Sequence, residues 1–158
     1  MVFTLVSVSR SLRHVRSHSK DATIGATSLN ILGPDNERKM VYINRYSTKG
    51  FTINGMRVFG SVALLPRAIL QWKISDRKEL TPEAFSLFHL VEPRIEILVL
   101  GLGDRSDRLN PDVHNFLRRK GIPVEIQSTQ HACATFNFLM EEGRIAAAGL
   151  IPPTVLPD

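Results

Sequence analysis

A chain of 158 residues with a single cysteine, Cys133, has no partner for an internal disulfide. Its fold must rest on packing and hydrogen bonds, which suits a reducing compartment. No run of about 18 apolar residues occurs, so no segment is long enough to span a bilayer as a helix. Any membrane association would have to be peripheral or through partners. The sequence has no G-x-x-x-x-G-K-S/T phosphate loop, no H-E-x-x-H and no G-x-S-x-G elbow. Its five histidines are His14, His18, His89, His114 and His131, and outside the N-terminus no pair has the spacing of metal ligands. His131 lies two residues from Cys133 on a predicted helix, about 200° around it, so the two face apart. Cys133 therefore reads as a small packed apolar residue. No catalytic residue, metal site or cofactor is expected, and a binding protein is favoured over an enzyme.

What is present fits a globular domain: 43% hydrophobic residues and 22% charged. The formal charge is +5, but residues 1–20 carry Arg10, Arg13, Arg16 and Lys20 with no acid. The remaining 138 residues therefore hold only +1. That small balance argues against a nucleic-acid partner, which needs a basic face on the folded body. The opening MVFTLVSVSRSLRHVRSHSK is rich in Arg and Ser and lacks acids. This is the composition of a mitochondrial transit segment, placed here at 1–25. Residues 26–40, with the turn cluster Gly33-Pro34-Asp35-Asn36, read as a linker or flexible arm. A domain is expected over 41–153, followed by a tail at 154–158.

Within that domain, Phe51-Thr52-Ile53 and Met56-Arg57-Val58-Phe59 flank Asn54-Gly55, a strong signal for a tight hairpin. Val62–Leu65 and Ala68–Ile74 read as further strands. Thr81-Pro82-Glu83 predicts a helix start, with Phe85, Phe88 and Val91 on one face. Ile95–Leu100 is a mostly apolar strand suited to a buried parallel position. Asn110-Pro111-Asp112 opens the next helix, which Gly121 closes. Ile122–Ile126, the helix Thr129–Glu142 and the small-residue strand Ile145–Ile151 complete the pattern. Alternating helices and strands predict an α/β fold with a mostly parallel central sheet and an N-terminal β-hairpin region. Trp72 is expected in the core.

The stretch ILVLGLGDRS, residues 97–106, begins like a dinucleotide-binding loop. The fingerprint G-x-G-x-x-G breaks at its third glycine, where Ser106 stands, and the next helix begins late, near Asn110. Glu125 occupies the region of a ribose-binding acid, but the partial match is weak. The glycines more simply let the chain turn off a buried strand. Sites in open α/β sheets lie beyond the carboxyl ends of strands. If the two strands are neighbours, Gly101, Gly103, Asp104, Arg105, Ser128 and Thr129 share one rim. That rim is the candidate site for a partner. The rival reading places a small ligand or nucleotide at Gly101–Arg105.

Several segments taken together resemble the Mth938-like (DUF498) family. They are Tyr46–Gly55, Leu64-Leu65-Pro66 followed by Gln71-Trp72, Glu92–Ile97, Gly101–Arg105 and Ala132–Leu139. The resemblance covers roughly residues 41–153. It implies a three-layer α/β fold whose mixed sheet carries an additional β element. It also implies a non-catalytic factor acting early in building mitochondrial respiratory complex I, at the matrix side of the inner membrane, with a further nuclear pool. The implied partners are complex I assembly factor 4 and subunits of the quinone module. The family implies no catalytic residues.

Overall fold

The structure, a computed structural model, describes residues 3–5 and 40–157. Nearly all of the proposed transit segment and linker lies outside the described residues. The strands are β1 (Phe3–Leu5), β2 (Ile43–Ser47), β3 (Gly50–Ile53), β4 (Met56–Phe59), β5 (Val62–Leu65), β6 (Ala68–Trp72), β7 (Ile97–Leu102), β8 (Val124–Gln127) and β9 (Ala146–Ile151). The α-helices are α1 (Pro111–Arg119) and α2 (Thr129–Glu141). Six strands form a central sheet in the order β1-β6-β5-β9-β7-β8, and β2-β3-β4 form a second sheet. The central sheet is mixed: β7 runs parallel to β8 and β9, while β5 lies antiparallel to both β6 and β9. Parallel pairing is confined to the strands that helices connect, because a tight turn can join only antiparallel neighbours.

Side-chain alternation along β7 divides the core into two layers. Leu98, Leu100 and Leu102 face one side, with Phe85, Phe88 and Leu117. Val99 faces the other, where Ala132 and Phe136 of α2 meet Phe51, Ile53 and Val58 of the small sheet. The result is three layers: helical elements, the central sheet, and α2 with the three-stranded sheet. The alanines of β9 are fully buried and let both neighbouring layers approach closely.

Asn54 and Gly55 take φ values of 49° and 78°, the positive values that the β3–β4 turn requires. Asn137 ties this sheet to the body. Its Nδ2 donates to the Ile43 carbonyl and its Oδ1 accepts from the Ile43 N–H, each at 2.9 Å.

Two elements differ from expectation. Pro82–His89 is a 3-10 helix rather than an α-helix. The reason is legible in retrospect: Phe85, Phe88 and Val91 recur every three residues, which aligns them on a turn of three. The second element is β1, which no sequence signal indicated. Phe3 pairs with Trp72, and their rings stack with centroids 6.5 Å apart. Trp72 is 1% exposed, as expected, and its indole N–H donates to the Ala84 carbonyl at 3.2 Å.

Candidate functional site

The two loops of the candidate rim do meet, because β7 and β8 are parallel neighbours with Gly101 opposite Gln127. Gly103, Asp104, Arg105 and Ser128 line one open hollow of about 400 Å³, together with Tyr46, Gln130, Pro153, Val155, Leu156 and Pro157. Gly101 and Thr129 are not on its surface. A Cβ at Gly101 would stand 2.9 Å from Leu150 Cδ2 and 3.0 Å from both Ala132 Cβ and Thr129 Cα. Glycine is therefore needed at 101 so that α2 can pack on β7. Thr129 is fully buried. Its Oγ1 accepts from the Gly103 N–H at 2.8 Å and donates to the Ile151 carbonyl at 2.5 Å.

This geometry bears on phosphate binding. A phosphate on α2 would call on the free N–H groups of its first turn. The Thr129 N–H instead donates to the Gly103 carbonyl at 2.8 Å. Gly103 itself has φ 86°, so the bend is one that favours glycine. Glu125 lies within β8, not at its end, and its Oε1 accepts from Gln127 Nε2 at 3.3 Å. It is not placed as a ribose-binding acid at the hollow.

Asp104 also has an internal task. Its carboxylate accepts from the N–H groups of Thr154 and Val155, at 2.9 and 3.2 Å, and from the Thr154 hydroxyl. These bonds, the Thr154 hydroxyl first among them, hold its pKa below the ordinary value, with a smaller contribution from the nearby Arg105. They also bring Val155, Leu156 and Pro157 over the hollow, so residues read from sequence as a tail form one of its walls. Arg105 is exposed and makes no ion pair with a described residue. Ser128 Oγ and His131 Nδ1 are 3.0 Å apart and exposed. Sequence reasoning missed Tyr46, Gln130 and the tail residues because their approach depends on tertiary packing.

Cys133 is 5% exposed, and burial pushes its thiol pKa up to about 12. At neutral pH it is a protonated, packed thiol. Among the described residues no group of three or more His, Cys, Asp or Glu side chains is arranged to hold a metal, and no helix is long and apolar enough to cross a membrane.

Comparison with known proteins places this geometry in context. The family model described as "Protein of unknown function (DUF498/DUF598)" matches residues 43–151. A curated Xenopus tropicalis protein is 46% identical over 160 residues, covering 99% of this chain and 87% of its own length. It is named NADH dehydrogenase (ubiquinone) 1 alpha subcomplex assembly factor 3. The Bos taurus protein of the same name is 48% identical over 140 residues, covering 89% of this chain and 76% of its own. A solution structure from Bordetella pertussis, described as a Mth938-like domain, superposes with a TM-score of 0.62 at 24% identity, over 87% of this chain and 92% of that one.

Proposed function

Since this chain belongs to the DUF498/DUF598 family, we propose that it is a non-catalytic assembly factor for mitochondrial respiratory complex I. The observation that carries the reading is 46% identity to a protein named as an assembly factor, across 99% of this chain. The finer proposal is that it binds early quinone-module intermediates together with complex I assembly factor 4. It does so at the matrix side of the inner membrane, after residues 1–25 have directed import; a nuclear pool belongs to the same proposal.

The site chemistry supports this reading. At the rim, the Asp104 carboxylate and the Thr129 hydroxyl are engaged in holding the fold. Exposed apolar side chains are available for a protein partner, among them Phe59, Leu90, Phe138 and Val155, which are 59–69% exposed. The test is affinity purification of the tagged full chain from mitochondria. Complex I subunits and the second assembly factor are expected to co-purify, and their absence would overturn the proposal.

One observation favours a second reading. Arg105 lines the 400 Å³ hollow without an ion pair to a described residue, which is how a small anion could be received. Thermal-shift screening with NAD, ATP and FAD tests it. A stabilising ligand whose effect vanishes in Arg105→Ala would favour this reading; no shift with any of them would remove it.

A further inference from the structure

The net charge of the body conceals a separation of charge along the chain. From Arg38 to Ser75 the sequence holds seven cations and no acid. Acids on the flanking segments offset them, which is why the body's sum is small. Three of these cations, Arg45, Lys49 and Arg57, belong to the three-stranded sheet and the β2–β3 turn.

The strand register defines the face they occupy. Arg45 lies opposite Thr52, and Thr52 opposite Arg57. In the adjacent row Ser47 lies opposite Gly50, and Gly50 opposite Phe59. Residues two apart share a face, so both rows look the same way. The other face carries Phe51, Ile53 and Val58 into the core. The outer face therefore presents two arginines, two hydroxyls and Phe59, which is 67% exposed. Gly50 contributes no side chain to the middle of its row. A hollow of about 280 Å³ lies there, lined by Arg45, Ser47, Lys49, Thr52, Arg57 and Phe59 among others. The glycine is obligatory, because a Cβ at this position would fall 2.0 Å from the Val58 carbonyl oxygen. None of the three cations makes an ion pair with a described residue.

We propose that the outer face of β2-β3-β4 docks an acidic segment of a partner protein, with a carboxylate in the hollow over Gly50 and an apolar side chain against Phe59. Cations with complementary acids set orientation and encounter rate, while the exposed aromatic supplies the anchor. RNA is a poorer fit, since sheet platforms for bases carry two or three stacking aromatics and this face carries Phe59 alone. A bilayer is also a poorer fit, because a concave polar hollow beside one Phe offers little surface to insert. The inference deepens the assembly-factor reading and rests on it for the existence of a protein partner.

The experiment uses the tagged full chain in mitochondria with the photo-crosslinker p-benzoylphenylalanine in place of Phe59, and a control carrying it in place of Phe138. Adducts are mapped by mass spectrometry, and co-purified complex I subunits are scored in the same samples. The expected adduct at 59 is a protein segment with more Asp and Glu than Lys and Arg. Its yield should fall at least about tenfold in an Arg45→Glu/Arg57→Glu background whose circular dichroism is unchanged. An adduct to RNA, to lipid or to a basic or neutral segment overturns the inference, as does no adduct at 59 or one indifferent to the charge reversals. If complex I subunits are recovered while the adduct fails, the docking inference alone falls. If no complex I subunit is recovered, the assembly-factor reading falls instead.

Discussion

Thr129 and Gly103 hold each other by reciprocal hydrogen bonds. The Gly103 N–H donates to Thr129 Oγ1 and the Thr129 N–H donates to the Gly103 carbonyl, both at 2.8 Å. This pair sets the bend after β7 and fixes the start of α2 against it. Thr129→Val keeps the shape but leaves the Gly103 N–H and the Ile151 carbonyl without their side-chain partner. The expected loss is about 1–3 kcal/mol, or roughly 2–4 °C in Tm per kcal/mol for a chain of this size. Thr129→Ser, which retains the hydroxyl, should recover most of it. Equal losses in the two variants in thermal unfolding would contradict this role.

Asn137 gives a second, separable prediction. Its two bonds to Ile43 are the polar link between α2 and the small sheet. Asn137→Ala should cost about 1–3 kcal/mol and speed amide exchange in β2 more than in β7. Exchange that rises equally in both strands would mean that the clamp has no local role.

Asp104 ties the pH response of the tail to a known group. Its pKa is held below the ordinary 3.8 by the Thr154 hydroxyl and the N–H groups of Val155 and Thr154. A carboxylate with a depressed pKa stabilises the bound arrangement above 3.8, and the contribution is lost as pH falls through the folded value. The amide resonances of Thr154 and Val155 should therefore stay constant from neutral pH down to about 4 and move together only below it. Asp104→Ala should shift them at neutral pH with little change in global Tm.

His89 has a dependence of the same sign in a higher pH range. Its ring packs edge-on to Phe116 at 5.7 Å, and its buried Nδ1 has no hydrogen-bond partner among the described residues. Desolvation, and secondarily Lys120, push its pKa below the ordinary 6.5. The folded state thus prefers the neutral ring. Stability is complete above 6.5 and declines as pH falls from that value through the folded one. The Tm of the wild type should drop on acidification from pH 7 to 5 more than that of His89→Phe. Parallel curves would show that His89 does not contribute.

Much of the architecture was legible because local signals agree with the global fold. Asn54-Gly55 sits at a turn that demands positive φ, Asn110 caps α1 by accepting from the Asp112 N–H at 3.0 Å, and the apolar run before Gly101 is a buried central strand. The failures have physical causes. A three-residue spacing of aromatics reads as a helix face, but it does not distinguish 3.6 residues per turn from three. β1 is only three residues long and pairs with a strand more than 60 positions away, so no periodicity could reveal it. At the rim, Asp104, Arg105 and Ser128 line one hollow beyond the strand ends, yet residue type could not show that Gly101 and Thr129 are packing positions. Net charge misled differently: a sum of +1 over 138 residues hid an acid-free stretch from Arg38 to Ser75, because a sum carries no spatial information.

The most direct test of the central claim is the level of assembled complex I in mitochondria lacking this protein, measured on native gels. The account predicts loss of the mature complex with accumulation of subassemblies, and recovery when the wild-type chain is restored. Undiminished complex I in the complete absence of the protein would contradict it.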